Sequence, residues 1–428
     1  MTPKSLIIFD LDGTLFETEL TVSRAVNRAC ADLGLAPPDP SRTLAGIGLT
    51  GSDFVLSIAS NLDSEATRQL DDLIGRYERE AIRDIGRLFP RVTEMLHDLK
   101  TSGHKLAVCS NGSRGYIDLV LSTTGVARFF DHIRGADSGR GKAAEIADLV
   151  RQTGSRNAVF VGDRLSDFEA ARANRIPSIG VSYGYGGDEI AEADFVADSA
   201  EDVLFHVARC EIFGLFINHL SRPQARRPVI GVNGIDTSGK TIFADALARY
   251  LTARGRPTQV VHLDDFHNPR DIRSKGPNEV RAYIENAFDL ERLRTELLDP
   301  IRRGDSTNKT LRLLDLDTDE FSRSVTFEIG RDTAVILEGV LLYRPPLDEY
   351  FDCRIFLDVG FDEMLRRAEA RDVPRFGPQF LERYRRKYVP IQQWYLDEYD
   401  PASRSDFMVD NNKWRRPILT KAPASTTE

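Results

Sequence analysis

Two short segments of this 428-residue chain carry most of its chemistry. In Phe9-Asp10-Leu11-Asp12-Gly13-Thr14-Leu15, two aspartates stand two apart at the end of an apolar run. Alternate residues of a strand point the same way, so Asp10 and Asp12 present carboxylates on one side, and Gly13 allows a tight turn after them. Two close carboxylates repel one another and invite a divalent cation, which also neutralises an incoming phosphate. Asp10 is then placed to attack phosphorus and form an aspartyl-phosphate, with Asp12 donating and later accepting a proton. The second segment is Gly234-Ile235-Asp236-Thr237-Ser238-Gly239-Lys240-Thr241, set between the apolar run Val229–Asn233 and the helical pattern Ile242–Leu251. Strand, glycine-rich loop and helix in that order form a phosphate-binding loop whose backbone N–H groups close around nucleotide phosphates. Lys240 reaches the β- and γ-phosphates of ATP or GTP, and the Thr241 hydroxyl coordinates Mg²⁺. One half of the chain is built to remove a phosphate and the other to transfer one.

Three further elements follow the aspartates in order: Ser110-Asn111-Gly112 after a strand pattern, Lys142 in a polar segment, and Gly162-Asp163 followed by Asp167. With Asp10 and Asp12 this series resembles the haloacid dehalogenase-like phosphatases. The stretch FPRVTEMLHDLKTSGHKLAVCSNG at 89–112 is similar to their phosphoglycolate phosphatase branch. The resemblance spans about the first 200 residues. It implies Mg²⁺-dependent phosphomonoester hydrolysis: Ser110 and Asn111 hydrogen-bond the phosphoryl oxygens, Lys142 neutralises the aspartyl-phosphate, and Asp163 and Asp167 complete the metal site with Asp10 and Asp12. Ser110 stands where Thr is common, and either hydroxyl serves.

In the second half, Leu263-Asp264-Asp265-Phe266-His267, Val335-Ile336-Leu337-Glu338-Gly339, three arginines after CRIFLDV (Arg366, Arg367, Arg371) and the closing FMVDNN resemble the uridine kinase-like branch of phosphate-loop kinases. That resemblance implies Asp264 as base for the acceptor hydroxyl, Glu338 near Mg²⁺ and acceptor, and the arginines as a lid over the nucleotide. The basic run Arg383–Lys387, with Tyr384 and Tyr388, reads as further lid or as a solvated helix face. The chain departs from that family at the nucleoside-reading positions. His267 stands where uridine kinases carry Tyr, and Tyr283-Ile284-Glu285-Asn286 precedes Ala287-Phe288-Asp289 where they carry His-Pro-Asp. The acceptor is therefore expected to be a nucleoside or another small hydroxyl compound.

The elements that must hold these residues are legible as a strand–helix alternation. Strand patterns at Leu6–Asp10, Lys105–Ser110, Ala158–Gly162, Ser178–Ser182 and Phe195–Ala197 alternate with helical ones such as Ala144–Val150 and Phe168–Arg172. A second series comprises Val229–Asn233, Gln259–Leu263, Ala334–Glu338, Arg354–Leu357 and Phe407–Val409. This predicts an α/β protein of two doubly wound parallel-sheet domains, at 1–209 and 228–414, each sheet covered on both faces. Val22, Ala25, Val26, Ala29 and Leu33 recur at helical spacing and predict a helical cap over about 16–87. A linker is expected at 210–227, in which apolar Ile212–Leu220 reads as a short packed helix and SRPQARRP as the polar connection, and a disordered tail at 415–428.

Composition narrows the function further. With 41% hydrophobic and 29% charged residues the chain is of ordinary globular type. A formal charge of −9 argues against a nucleic-acid partner, which a basic surface would have to hold. No run approaches the roughly 18 apolar residues of a membrane span. The four separated cysteines form no CxxC pair, and the N-terminus enters a strand directly, so a cytoplasmic protein is expected. The leading expectation is a bifunctional enzyme acting on a small phosphorylated metabolite and on a small hydroxyl or nucleoside acceptor, its oligomeric state open. Two alternatives remain: a phosphatase fused to a catalytically silent nucleotide-sensing module, and a nucleic-acid end-processing kinase and phosphatase.

Overall fold

The apolar runs between helical segments fold as buried strands. The computed structural model describes residues 4–49, 51–59, 62–220 and 227–423, which divide into two units, Met1–Glu211 and Ile212–Glu428. In the first unit the strands are β1 (Leu6–Phe9), β2 (Lys105–Cys109), β3 (His132–Arg134), β4 (Ala158–Gly162), β5 (Ser178–Val181) and β6 (Phe195–Ala197). They lie in the order β3-β2-β1-β4-β5-β6, every pairing parallel. The order reverses direction between β1 and β4, whose adjacent C-terminal ends carry Asp10 and Asp163; such a crevice is where open α/β sheets bind ligands. Leu6, Ile8 and Phe160 pack on Ile146 and Leu149 of helix Lys142–Thr153 and on Ala170 and Ala171 of helix Leu165–Ala173. β3 has only three residues, none fully buried, which left too little apolar pattern to read from sequence.

Four helices separate β1 from the rest: Thr18–Asp32, Pro40–Gly46, Gly51–Ile58 and Ser64–Ile85. The last is amphipathic and starts where the Asp63 side chain accepts from Ala66 N at 2.8 Å, satisfying one of the orphan donors of the first turn. Its buried Leu70, Ile74 and Tyr77 meet Val22, Val26 and Ala29 of the first helix and Phe54 and Val55 of the third. Burying each large aliphatic side chain contributes about 1.5–3 kcal/mol, so this small core holds the helices together without the sheet.

The second unit contains β7 (Val229–Gly234), β8 (Thr258–His262), β9 (Thr307–Asp315), β10 (Glu320–Ile329), β11 (Ala334–Gly339), β12 (Cys353–Asp358), β13 (Phe407–Asp410) and β14 (Ile418–Lys421). Six of them form a sheet in the order β14-β13-β12-β7-β11-β8, parallel except for β14. β7 is therefore central, with β11 and β12 as its neighbours. β9 and β10 pair antiparallel as a separate two-stranded ribbon.

Three expectations need correction. Residues 210–220 are not linker: a single helix runs Ala200–Leu220, because Phe213 and Phe216 are buried against Phe243, Tyr250 and Phe407. The remainder of that linker, 221–226, lies outside the described residues. The tail is not wholly disordered, since Ile418–Lys421 pairs with β13; 424–428 lie outside the described residues. Finally, helix Ala200–Leu220 is long and apolar enough to cross a membrane by length and composition alone, with 56% of its apolar window buried inside the protein. A core helix has the same composition.

Candidate functional site

The end of β1 sets the geometry of the first site. Gly13 takes φ +75°, and a Cβ there would lie 2.3 Å from Asp163 Oδ2, so only glycine lets the two loops approach. Asp10, Asp163 and Asp167 are all buried, and each offers a carboxylate oxygen within 4.8 Å of the others. Lys142, at the start of its helix, lies among them: Nζ donates to Asp10 Oδ1 at 2.9 Å and to Asp167 Oδ1 at 2.5 Å. The other Asp167 oxygen accepts from the backbone N–H groups of Asp163 and Arg164 at 3.2 and 3.1 Å. Asp163 Oδ2 accepts from Tyr185 N at 2.7 Å.

Asp12 is held differently. Its Oδ1 accepts from Thr18 Oγ1 at 2.7 Å and from the Tyr116 hydroxyl at 2.6 Å. Of the four carboxylates expected to share one cluster, three lie together, and the Asp12 side chain is instead held between Thr18 of the first cap helix and Tyr116 of helix Arg114–Thr123. Ser110, buried, accepts from Gly112 N at 3.1 Å, and Asn111 Nδ2 donates to Gly48 O of the cap at 3.2 Å. These residues line a cleft of about 660 Å³, closed on the cap side by Gly48, Phe54, Glu78 and Arg79.

Burial governs the charges here. It raises Asp10 well above the usual carboxylate range, with Lys142 opposing and the neighbouring aspartates adding to the rise. Burial also raises Asp12, against the pull of its hydrogen bonds from Tyr116 and Thr18. Asp163 is lifted to about 7 by burial, and Glu78 of the cap to about 8 by burial and then by the charge of Asp12. Burial works against the Lys142 ammonium, but Asp10 and Asp167 outweigh it and hold its pKa above the ordinary lysine value.

The second site follows β7. Gly234 ends the strand, Thr237 and Gly239 take positive φ of +54° and +90°, and helix Lys240–Ala253 begins directly after them. Lys240 Nζ donates to Ile235 O at 2.8 Å, folded back across the loop. The Ser238 hydroxyl is buried and has no hydrogen-bond partner among the described residues, an uncompensated polar atom inside the loop. Because β11 is the neighbour of β7, Glu338 reaches the loop: Thr241 Oγ1 donates to Glu338 Oε1 at 3.0 Å, and His262 Nδ1 lies 2.8 Å from the same oxygen. That hydrogen bond raises the His262 pKa. Asp236 is raised by burial, with Lys240 opposing and Asp264 adding to the rise.

The three arginines are distributed unequally. Arg367 is tied to backbone, donating to Thr237 O at 3.1 Å and to Asn411 O at 2.6 Å. Arg366 pairs with Glu363 at 2.7 Å beside a hollow of about 480 Å³ lined by Gly360, Asp362 and Asn412. Arg371 pairs with Asp372 at 2.8 Å and donates to the Tyr384 hydroxyl at 3.0 Å. Asp264 is exposed on the turn Leu263–Phe266, where its carbonyl oxygen lies 2.8 Å from His267 Nδ1. Sequence reasoning missed Thr18, Tyr116, Glu78 and His262. Tyr116 is 104 residues from Asp12, and no local spacing links the two.

A doubly wound sheet with an aspartate cluster and a lysine at its switch point is the arrangement of a hydrolase of the haloacid dehalogenase-like class. The description "haloacid dehalogenase-like hydrolase" matches residues 7–181. The phosphoglycolate phosphatase of Caulobacter vibrioides is 34% identical over 211 residues, covering 46% of this chain and 88% of that protein. The phosphoglycolate phosphatase of Yersinia pseudotuberculosis is 30% identical over 196 residues, covering 43% and 84%. A solved structure described as a possible uridine kinase from Bacillus stearothermophilus is 24% identical, covers 47% of this chain and 96% of its own, and has a TM-score of 0.37. Through its N-terminal unit, the chain belongs to the haloacid dehalogenase-like hydrolase family.

Proposed function

We propose that the N-terminal unit is a Mg²⁺-dependent phosphatase acting on a small phosphomonoester, phosphoglycolate being the first candidate after the relatives it matches. The observation that carries this reading is Lys142 Nζ between Asp10 and Asp167 at the base of the cleft. The Asp10, Asp163 and Asp167 oxygens, close together and buried, suit a hard divalent cation, which when bound would neutralise phosphate charge. The Asp10 carboxylate oxygen forms a bond to phosphorus as the bond from phosphorus to the ester oxygen breaks. Asp12, raised by burial, gives its proton to the departing oxygen. A water then attacks the phosphorus of the aspartyl-phosphate, Asp12 takes its proton, and Asp10 is released with inorganic phosphate. Ser110 and Asn111 orient the phosphoryl oxygens, and Lys142 balances their charge.

The C-terminal unit is read as a kinase using ATP or GTP. Glu338 and Thr241 in contact, beside a loop holding Lys240 and the unpartnered Ser238 hydroxyl, support that reading. Gly234–Thr241 would hold the phosphates, Thr241 and Glu338 Mg²⁺, and Asp264 the acceptor hydroxyl. Opposite reactions on one identical group would cycle futilely, so the two units act on different compounds or on different hydroxyls of one scaffold. Mg²⁺-dependent phosphate release from phosphoglycolate, compared between wild type and Asp10→Asn, tests the first activity. ADP release from ATP across small hydroxyl compounds in the Asp10→Asn protein tests the second. Phosphate release at equal rates from both proteins would refute the aspartyl-phosphate route.

A further inference from the structure

The basic run Arg383–Lys387 resolves into two kinds of cation. Arg385 pairs with Glu382 and Arg386 with Glu279, each at 3.6 Å. Arg383 and Lys387 have neither a carboxylate nor a hydrogen-bond partner among the described residues. They are four positions apart, so they share a face of the helical segment. Both lie against one ring: Arg383 Cζ is 5.8 Å and Lys387 Nζ 5.5 Å from the centre of Tyr388. Lys387 Nζ is also 5.2 Å from the ring of Tyr283, and the two tyrosines meet edge to face at 6.0 Å. Lys387 and Tyr388 lie in the π-helical turn Tyr384–Tyr388, which follows Arg383 directly, and such distortions are frequent at functional sites.

The same tyrosines connect to the transfer centre through ring contacts. Tyr283 meets Phe288 edge to face at 5.8 Å, and Phe288 packs on His267 at 4.4 Å, whose Nδ1 lies 2.8 Å from Asp264 O. Burial and then the charge of Arg383 push the Lys387 ammonium below its ordinary value, with Arg273 adding to the effect and Glu279 opposing. An ammonium half out of water, beside two other cations and over two aromatic faces, is under-compensated, and an anion placed there would stabilise it. On the kinase reading, the separate hollow lined by Gly360, Arg366 and Asn412 is left for the nucleoside end of ATP.

We propose that Arg383 and Lys387 form an anion subsite for the phosphoryl acceptor, so that the C-terminal unit phosphorylates a small hydroxyl compound already bearing a carboxylate or a phosphate. This rests on the kinase reading of that unit. The acceptor oxygen bonds to the γ-phosphorus as the bond to the β–γ bridging oxygen breaks. Its proton passes to Asp264, and ADP leaves with the bond pair. The absence of the His-Pro-Asp nucleoside-reading segment at 284–286 fits an acceptor recognised by charge rather than by a base.

The test uses the full chain carrying Asp10→Asn, which preserves phosphorylated products. ADP release is measured with matched neutral and anionic acceptors: glycerol, glycerate and glycerol 3-phosphate; ribose and ribose 5-phosphate; and uridine. An anionic member is expected to be preferred over its neutral partner. Whether glycerate or the two phosphates respond separates carboxylate from phosphate. Lys387→Met is expected to raise the KM for that acceptor about 10- to 100-fold, the loss of one charged hydrogen bond, with the KM for ATP unchanged. A neutral acceptor used best, with Lys387→Met without effect on its KM, would overturn the subsite and leave the kinase standing. A rise in the ATP KM instead would also overturn it, assigning these cations to the nucleotide. Acylation of Lys387, followed by mass spectrometry with ADP and Mg²⁺ bound, reads the subsite without turnover. Protection by an anionic compound without ADP release from ATP would keep the subsite and refute the kinase. Absence of protection by every anionic probe would refute the subsite.

Discussion

Lys142→Met tests whether the buried ion pairs at the base of the phosphatase cleft hold the first unit together. The ammonium bonds Asp10 at 2.9 Å and Asp167 at 2.5 Å, and all three side chains are at most 8% exposed. Removing one partner of a buried pair leaves uncompensated charge and costs about 3–5 kcal/mol. At 1.36 kcal/mol per factor of ten, hydrogen exchange of strands that open only by global unfolding should accelerate roughly 150- to 5,000-fold. Peptides covering β1 and β4 report this unit alone. In Mg²⁺-free buffer at pH 8, the variant should exchange faster there by that factor, and its phosphate release, assayed with Mg²⁺, should be lost.

The pH dependence separates charge from lost packing. Lys142 has a folded pKa above its unfolded value, so its stabilisation is complete below about pH 10 and does not change between pH 5 and 8. The carboxylates titrate inside that range. Asp163, raised to about 7, binds protons more readily when folded, so its charge destabilises increasingly as pH rises from about 4 through 7. Without Lys142 that cost grows, and the variant's deficit relative to wild type should shrink as pH falls from 8 to 5.5. Added Mg²⁺ should shrink it as well. Equal exchange rates for wild type and variant at pH 8 would refute the reasoning, and a deficit independent of pH would assign the effect to packing.

Other expected outcomes follow from the same geometry. Asp10→Asn should lower phosphate release by roughly three orders of magnitude or more while leaving nucleotide binding intact; loss of both, measured by phosphate assay and calorimetric ATP titration, would sink the two-site reading. Lys240→Ala should do the reverse, abolishing ATP turnover and sparing phosphate release. Tyr116→Phe removes a 2.6 Å donor to Asp12, a charged hydrogen bond of about 1.5–3 kcal/mol, and should move the Asp12 limb of the pH–rate profile upward; an unmoved limb would show that another group titrates. Glu78 carries a folded pKa of about 8, so wild-type phosphatase activity should fall as it ionises beside Asp12, and Glu78→Gln should extend activity to higher pH; identical alkaline limbs would exclude Glu78.

What the sequence disclosed follows from range. Asp10 and Asp12, the loop Gly234–Thr241 and the strands that carry them are local patterns, in which neighbouring residues bear both the fold signal and the chemistry. β9 and β10 escaped because most of their side chains face solvent: Leu311, Leu313 and Leu314 of β9 and Phe327 and Ile329 of β10 are buried, against a background of charged and polar residues. The groups that tune the sites were hidden for a different reason. Thr18 and Tyr116 meet on one oxygen of Asp12, from the first cap helix and from a helix after β2. Glu338 joins Thr241 only because β11 inserts between β7 and β8. In the first unit the reacting groups are written in short motifs, whereas the protonation of Asp10 and Asp12 is set by burial and by contacts between segments far apart in the chain. Substitutions at Tyr116 or Glu78, which no motif includes, should therefore change pH dependence while the motif residues remain intact.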